Sequence, residues 1–236
     1  MGRVIVKRNH DGEGRGIKSV YSDPEKHLSV LIHHRDPFLL AAEKPSGLLS
    51  VPGRGADKQD CLLSRVLREF PSARVVHRLD MGTSGLMLFA LDACTQRELG
   101  YLFETRQVAK RYTACVRGVP DPAGGEIDLP LIADWPRRPR QRVDFAEGRA
   151  AHTRYRVIES TKDGSFSRVE LVPTTGRSHQ LRVHLSELGH PILGDELYAD
   201  AQTQRMSDRL MLHADSLRFE HPRRPGQLNL HSPTPF

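Results

Sequence analysis

The stretch "VVHRLDMGTSGLMLFA" (75–90) joins a polar loop to a continuous apolar run. The run "GLMLFAL" (85–91) has no polar position, which predicts a strand buried on both faces. Asp80 precedes a turn rich in Thr, Ser and Gly, where a carboxylate can accept hydrogen bonds from the N–H groups of its own loop. Taken alone, this position favours a turn role for Asp80 over a chemical one.

Periodicity in the rest of the chain predicts both strands and helices. Strands are predicted over 29–34, 37–45, 110–118, 152–160, 167–173 and, less regularly, 210–222. Helices are predicted over 60–70 with Asp60 as N-cap, 92–106 with Asp92 as N-cap, and 177–189 ending at Gly189. Because these elements do not alternate as βαβ units, the sequence predicts an α+β fold.

The composition indicates a globular protein with a basic surface. The 236 residues are 38% hydrophobic and 27% charged, and residues 1–26 are polar and punctuated by glycine. We therefore expect an N-terminal extension over 1–26 and a folded domain over 27–236. A formal charge of +6 favours a polyanionic partner such as nucleic acid, although a basic protein without such a partner has the same composition.

Cysteine usage and the N-terminus indicate where the protein works. The three cysteines form no CxxC pair, and no Cys/His cluster has the spacing of a zinc site. Few cysteines in an odd number fit a reducing compartment. The N-terminus has no apolar signal core and no window approaches 18 apolar residues, so we expect a cytoplasmic protein with no membrane association.

Two familiar phosphate-handling motifs are only superficially present. "GEGRG" (12–16) is not followed by the Lys-Ser/Thr pair of a P-loop. "HRLD" (77–80) and "DFA" (144–146) have the letters of kinase motifs, but the catalytic-loop Asn and an upstream glycine-rich loop with its strand Lys are missing. The sequence therefore argues against both classes.

The segment "TTGRSHQLRVH" (174–184) concentrates hydrogen-bond donors. Within eight residues it carries Arg177, His179, Gln180, Arg182 and His184. Arg182 lies between Leu181 and Val183, and an arginine near the core needs a carboxylate partner, for which Asp80 is a candidate. The helix start near Arg177 can also bind a phosphate, while the alternative is a purely structural, salt-bridged helix.

A second basic segment is "DWPRRPRQRV" (134–143), which carries Trp135 and four arginines, Arg137, Arg138, Arg140 and Arg142. Prolines stiffen such a loop, and arginines with an exposed aromatic ring suit contact with nucleic acid. The alternative is a solvated basic loop with no partner.

Four motifs together resemble the RluA family of pseudouridine synthases. They are "EKPSGLLSVPG" (43–53), "VHRLDMGTSGLMLFA" (76–90), "KRYTACVRG" (110–118) and "TTGRSHQLRVHLSELGHPILGDELYA" (174–199). The resemblance runs from about residue 29 to about 220. It implies a mixed, mainly antiparallel sheet flanked by helices with a central RNA-binding cleft, and no metal or organic cofactor. Unlike many relatives, this chain is expected to have no S4-type RNA-binding domain before the catalytic part.

The resemblance also implies an activity. It implies isomerisation of uridine to pseudouridine in large-subunit ribosomal RNA, in a transfer RNA anticodon stem-loop, or in both. Nothing in the sequence indicates an obligate dimer, so we expect a monomer. Asp80 matches the catalytic aspartate, Tyr112 the tyrosine that stacks on the target base, and Arg182 the arginine that pairs with the aspartate. Asp80 can attack ribose C1′, attack uracil C6 or remove the C2′ proton, and the sequence does not choose among these routes.

The remaining candidate residues are expected to bind RNA or to help extrude the target base. Arg78 matches the family residue that fills the place of an extruded base, and Leu181 is expected to wall the pocket. The rest of this set is His77, Arg177, His179, Gln180, Arg137, Arg138, Arg140 and Arg142. Two other functions stay open at this level: an inactive RNA-binding factor on the same scaffold, and an RNA hydrolase using His77 and Asp80.

Overall fold

The computed structural model describes residues 30–236, so the extension predicted over 1–26 lies outside the described residues. The strands in this range are β1 (Ile32–Arg35), β2 (Leu39–Lys44), β3 (Arg74–Val75), β4 (Ser84–Ala90), β5 (Ala109–Arg117), β6 (Gly124–Asp128), β7 (Leu131–Ala133), β8 (Gln141–Val143), β9 (His152–Ser160), β10 (Phe166–Pro173), β11 (Leu212–Glu220) and β12 (Gln227–His231). The α-helices are α1 (Leu62–Glu69), α2 (Ala93–Glu104), α3 (Gln180–Glu187) and α4 (Ala201–Gln204).

Across residues 30–236, ten of the strands form one sheet. Eight follow the order β1-β2-β4-β11-β5-β10-β9-β6, while β12 pairs with β11 and β3 pairs with β4. Neighbouring strands are antiparallel except β4 and β11, which run parallel with Gly85 opposite Ala214. The α+β prediction with a mainly antiparallel sheet is confirmed.

Strand β4 is buried on both faces, as its unbroken apolar run predicts. Leu86 and Leu88 pack towards α2, whereas Met87 and Phe89 pack towards α1. Each of these side chains is fully buried, which stabilises the fold by about 1.5–3 kcal/mol per side chain. This strand is the rigid support from which the preceding loop, with Asp80, extends.

The predicted start is correct for α2 and differs from the structure for α1 and α3. Asp92 caps α2 as expected, since its carboxylate accepts a hydrogen bond from Thr95 N. The N-cap of α1 is Cys61 rather than Asp60, because Cys61 and Ser64 bond each other reciprocally across the first turn. The carboxylate of Asp60 instead accepts two hydrogen bonds from Arg65.

Helix α3 begins three residues later than predicted. His179 adopts a left-handed conformation with φ of 55°, which breaks the chain direction, and the helix starts at Gln180. Arg177 therefore lies in the turn before the helix. The predicted end is confirmed: Gly189 has φ of 87°, and His190 N donates to Leu185 O across it.

The arginine-rich segment connects a small separate hairpin. Strands β7 and β8 pair with each other and not with the main sheet, and residues 134–140 join them. The sequence did not predict this hairpin or the edge strands β6 and β12, because their short and polar sequences carry no clear alternation. No helix in the described part of the chain is long and apolar enough to cross a membrane.

Candidate active site

Asp80 lies where three surface depressions meet. They are a cleft of about 690 Å³, a small pocket of about 110 Å³ and a groove of about 1300 Å³. Asp80 lines all three, and its side chain is 29% exposed. The carboxylate is thus accessible to a ligand as large as a nucleotide.

The loop that carries Asp80, residues 77–83, is held by backbone-directed hydrogen bonds; we call it the catalytic loop because the sequence predicts a catalytic role for Asp80. Ser50 Oγ donates to Leu79 O at 2.6 Å and accepts from Leu79 N at 3.0 Å. Ser46 Oγ donates to Gly82 O at 2.7 Å. The motif at 43–53 therefore acts as a strap that fixes both sides of Asp80.

Lys44 completes this strap from the interior. Its Nζ is buried and donates to the carbonyl oxygens of Pro45, Leu48 and Met81 at 2.7–2.8 Å. These three acceptors match the three N–H groups of an ammonium ion. Burial lowers the pKa of Lys44 to about 7, and the charge of Asp80 opposes this shift.

Arg182 faces Asp80 but is held by another carboxylate. Its Nη1 lies 3.8 Å from Asp80 Oδ2, while Nε and Nη2 donate to Asp195 at 2.8 and 2.7 Å. Burial disfavours the guanidinium charge, but Asp195 and Asp80 outweigh it and raise the pKa of Arg182. The predicted proximity of Arg182 to Asp80 is present, with Asp195 as the stronger partner.

His179 approaches the same carboxylate from α3. Its Nε2 lies 4.0 Å from Asp80 Oδ1, and its Nδ1 is 2.6 Å from the hydroxyl of Tyr198. Burial lowers the pKa of His179, opposed by the charge of Asp80. One ring nitrogen of His179 is thus engaged inside the protein, and the other faces Asp80 within the small pocket, so the predicted contact of His179 with RNA stays a prediction.

Tyr112 shares a wall with Asp80. It lies on β5 and lines both the cleft and the small pocket. Burial and the nearby negative charges of Asp80 and Asp215 raise its pKa, so the phenol keeps its proton. Lys110, two residues earlier on the same face of β5, lines the same two depressions and donates to Thr175 O at 3.1 Å.

His77 occupies a structural position at the start of the catalytic loop. Its Nε2 accepts a hydrogen bond from Leu88 N at 2.9 Å, and its ring stacks on Phe103 with centroids 4.6 Å apart. Burial, with a smaller effect from Lys110, lowers the pKa of His77 to about 3. The ring borders the cleft, but the nitrogen that accepts from β4 is not available to RNA.

Three other predicted residues line the depressions around Asp80. Arg78 is exposed and borders both the cleft and the small pocket. Arg177 borders the same two depressions, with its Nε donating to Ala150 O at 3.1 Å. Leu181 is buried and lines the small pocket beside Tyr112.

Gln180 departs most clearly from its predicted role. Its side chain is buried, and its amide oxygen accepts from Thr175 Oγ1 and Arg177 N. Its amide nitrogen donates to His152 O and Thr153 Oγ1. Because both ends of the amide are bonded inside the protein, Gln180 anchors the turn before α3 and offers no free group to RNA.

Residues 134–142 form the connection between β7 and β8 together with the first two residues of β8, and we call this segment the arginine loop. Arg137, Arg138 and Arg142 are exposed, Arg140 is half-buried, and Arg138 stacks over Trp135, which is 66% exposed. The loop reaches the site through Pro139, which lines the groove beside Asp80, and through Gln141 N, which donates to Tyr198.

Sequence reasoning missed five residues that organise the site, namely Lys44, Ser50, Lys110, Asp195 and Tyr198. Alternation along β5 could have found Lys110, because it shares a face with Tyr112. The position of Lys44 at the end of the buried strand β2 was a weaker indication of its role. Ser50, Asp195 and Tyr198 contact residues that lie 13 to 29 positions away in the sequence. The local sequence carries no pattern for such contacts.

The chain resembles characterised proteins along most of its length. The family profile described as RNA pseudouridylate synthase matches residues 39–187. The dual-specificity RNA pseudouridine synthase RluA of Escherichia coli K12 is 46% identical over 216 residues, which cover 92% of this chain and 98% of the relative. The protein of the same name from Yersinia pestis is 49% identical over 193 residues, covering 82% of this chain and 93% of the relative.

Solved structures show the same fold. The human RNA pseudouridylate synthase domain containing 1 superposes with a TM-score of 0.74 at 29% identity, covering 89% of this chain and 85% of that one. The human RNA pseudouridylate synthase domain containing 4 gives a TM-score of 0.69 at 31% identity, covering 86% and 88%. From its sequence and its fold, the chain belongs to the RluA family of RNA pseudouridine synthases.

Proposed function

We propose that Asp80, Tyr112 and Arg182 form the active site with which this protein converts uridine to pseudouridine in RNA. The observation that carries the assignment is the position of Asp80, which alone among residues 30–236 lines the cleft, the small pocket and the groove. Its carboxylate also faces the buried Arg182 guanidinium. Formation of pseudouridine is an isomerisation, and relatives of this chain are named for this activity.

The reaction exchanges one bond for another within the nucleotide. The bond from ribose C1′ to uracil N1 breaks, the base turns, and a bond from C1′ to C5 forms; C5 loses its proton and N1 gains one. Asp80 supplies the carboxylate for nucleophilic attack at C1′ or C6 or for removal of the C2′ proton. Arg182, fixed by Asp195, keeps a positive charge 3.8 Å from this carboxylate throughout.

The protonated Tyr112 fits two roles in this scheme. Its ring offers an apolar face beside Asp80 on which the uracil can stack. Its raised pKa keeps the phenol protonated, so the hydroxyl can relay the C5 proton by accepting it on oxygen while its own proton passes to water. Leu181 lines the same small pocket.

The base must leave the RNA stack before it can turn, which costs a few kcal/mol and costs least in loops. Arg78 is placed to occupy the vacated position, because it is exposed at the mouth of the cleft and its planar guanidinium can stack on bases. Arg177 and the arginine loop provide further positive charge for phosphates around the cleft.

We further propose two substrate classes, a uridine of large-subunit ribosomal RNA and one of a transfer RNA anticodon stem-loop. The relatives from several bacteria are named as dual-specificity enzymes. The cleft and the groove that meet at Asp80 accommodate loops that differ beyond the target nucleotide.

The test is to incubate the purified protein with each RNA class and to map pseudouridine by carbodiimide modification. We expect one modified position in each class and intact RNA strands. Strand cleavage would indicate a hydrolase, and binding to RNA without pseudouridine would indicate an inactive RNA-binding factor; either result would overturn the proposal. Modification of one class alone would overturn only the dual specificity.

A further inference from the structure

A chain of hydrogen bonds links the arginine loop to the catalytic carboxylate. Gln141 N donates to the Tyr198 hydroxyl at 2.8 Å, and the same hydroxyl lies 2.6 Å from His179 Nδ1. The other ring nitrogen, Nε2, is 4.0 Å from Asp80 Oδ1. The contacts therefore run without a break from Gln141 to the Asp80 carboxylate.

The geometry of this chain selects one tautomer of His179. A backbone N–H can only donate, so the Tyr198 oxygen accepts from Gln141 and its proton is available for His179 Nδ1. The imidazole then carries its own proton on Nε2, facing Asp80. The opposite tautomer would direct a lone pair of Nε2 at the carboxylate, which is unfavourable. Burial lowers the pKa of His179 and favours the neutral ring on which this selection depends.

Packing keeps the ring in this orientation. The His179 and Tyr198 rings meet edge to face with centroids 5.6 Å apart, and the Arg182 guanidinium lies 5.1 Å from the centre of the Tyr198 ring. His179 itself is in the left-handed backbone region, with φ of 55°, which fixes the direction of its side chain. The Nε2 to Oδ1 distance is longer than a hydrogen bond, and such contacts commonly tighten when substrate binds.

We propose that Tyr198 and His179 are positioning residues for the isomerisation: Tyr198 holds His179 with its Nε2–H directed at Asp80, and this N–H orients the carboxylate together with Arg182. The proposal rests on the proposed function, since it assigns Asp80 as the reacting group. It also assigns a second role to the arginine loop, whose backbone at Gln141 sets the hydrogen-bond direction of Tyr198.

The experiment measures the single-turnover rate of pseudouridine formation at saturating RNA, the RNA dissociation constant, and the melting temperature. Tyr198→Phe keeps the ring contacts and removes only the hydroxyl, and we expect the rate to fall about tenfold with an unchanged dissociation constant. Tyr155→Phe is the matched control, because it removes a hydroxyl that donates to Pro122 O and borders none of the three depressions. It should keep the wild-type rate.

A double-mutant cycle separates positioning from general structural support. In a His179→Ala background, Tyr198→Phe should lower the rate by less than about twofold, because its effect acts through His179. An equal loss in both backgrounds, or a wild-type rate for Tyr198→Phe, would overturn the proposal.

Two further variants test the N–H donor without changing Tyr198. His179→Gln places an amide N–H near the position of Nε2 and should keep most of the rate that His179→Ala loses. Equal loss in the two variants would contradict the proposed donor. Failure of the proposed function itself would show separately, as absence of pseudouridine with the wild-type protein.

Discussion

The catalytic loop and the arginine loop border the same site but are built in opposite ways. In the catalytic loop, Leu79 is buried and bonded at both its N–H and its carbonyl, and the Met81 carbonyl accepts from Lys44 and from Gly47. In the arginine loop, Trp135 is 66% exposed, and Arg137, Arg138 and Arg142 are exposed as well.

This difference matches two different tasks. A reacting carboxylate must be held within a fraction of an ångström, and each strap bond contributes to that placement. Contacts to a polyanion depend on charge and reach more than on exact position, so exposed arginines suffice. The contrast predicts that changes near the catalytic loop alter stability and rate, while changes in the arginine loop alter binding.

Gly85→Ala is expected to give the largest effect, by breaking the support of the catalytic loop. An added Cβ would lie 2.6 Å from Ala214 N, at the one parallel strand pair in the described sheet, and φ is 114°. We expect the free energy of unfolding to fall by at least about 3 kcal/mol in urea titrations. Gly164→Ala, with φ of 66° and no atom within 4 Å, is the control and should cost about 1 kcal/mol. Equal losses would contradict the role of the close strand contact.

Ser50→Ala tests the strap with a smaller expected loss of stability. The change leaves Leu79 N–H and its carbonyl without their partner in a buried place, which we expect to cost about 1–3 kcal/mol of stability. The single-turnover rate should fall as Asp80 loses its fixed position, with RNA affinity unchanged. Ser165→Ala, in an exposed turn, should change stability by less than about 0.5 kcal/mol. A wild-type rate for Ser50→Ala would show that the strap does not position Asp80.

Replacing Arg138 and Arg142 with alanine tests the arginine loop. Loss of two phosphate contacts should weaken RNA binding at low salt and reduce the slope of log K against log salt by about 1.4–1.8. The rate at saturating RNA should stay near the wild-type value. Arg68→Ala combined with Arg97→Ala, on the exposed faces of α1 and α2, is the matched control. An unchanged slope in the loop variant would mean that this loop does not touch phosphate.

His77→Gln is expected to give the smallest effect at neutral pH, and its effect should emerge in the pH dependence of stability below pH 6.5. The folded protein holds the pKa of His77 at about 3 against an ordinary value of 6.5. Between these values the unfolded chain binds a proton that the folded protein excludes, so wild-type stability falls as the pH drops from 6.5 towards 3. The variant keeps an acceptor for Leu88 N and should have a slope flatter by up to about 1.4 kcal/mol per pH unit. Parallel curves would contradict a neutral, buried His77.

The central elements of the fold could be predicted from the sequence. The apolar run of β4 predicts burial on both faces, and alternation predicts β5, β9 and β10, because these strands build the core. The short hairpin β7–β8 and the edge strand β6 were missed because their residues gain stability from tertiary context and not from a local pattern.

The sequence predicted the charged residues of the candidate site better than the residues that hold them in place. The position of Arg182 between two apolar residues indicated a carboxylate partner, and Asp80 lies within 3.8 Å of it. Asp195 and Tyr198 were not assigned, since their contacts depend on how the loop after α3 folds back on the helix. Gln180 shows the opposite error, because the sequence shows a polar side chain but not that its partners lie inside the protein.

The most direct test of the account compares Asp80→Asn with the Arg138→Ala, Arg142→Ala pair in one titration of RNA. The measured quantities are the single-turnover rate of pseudouridine formation at saturation and the dissociation constant. For Asp80→Asn we predict a rate lower by at least about 10³-fold and a dissociation constant within about twofold of wild type. The arginine pair should show the reverse pattern. A near-wild-type rate for Asp80→Asn would contradict the assignment of Asp80 as the reacting carboxylate.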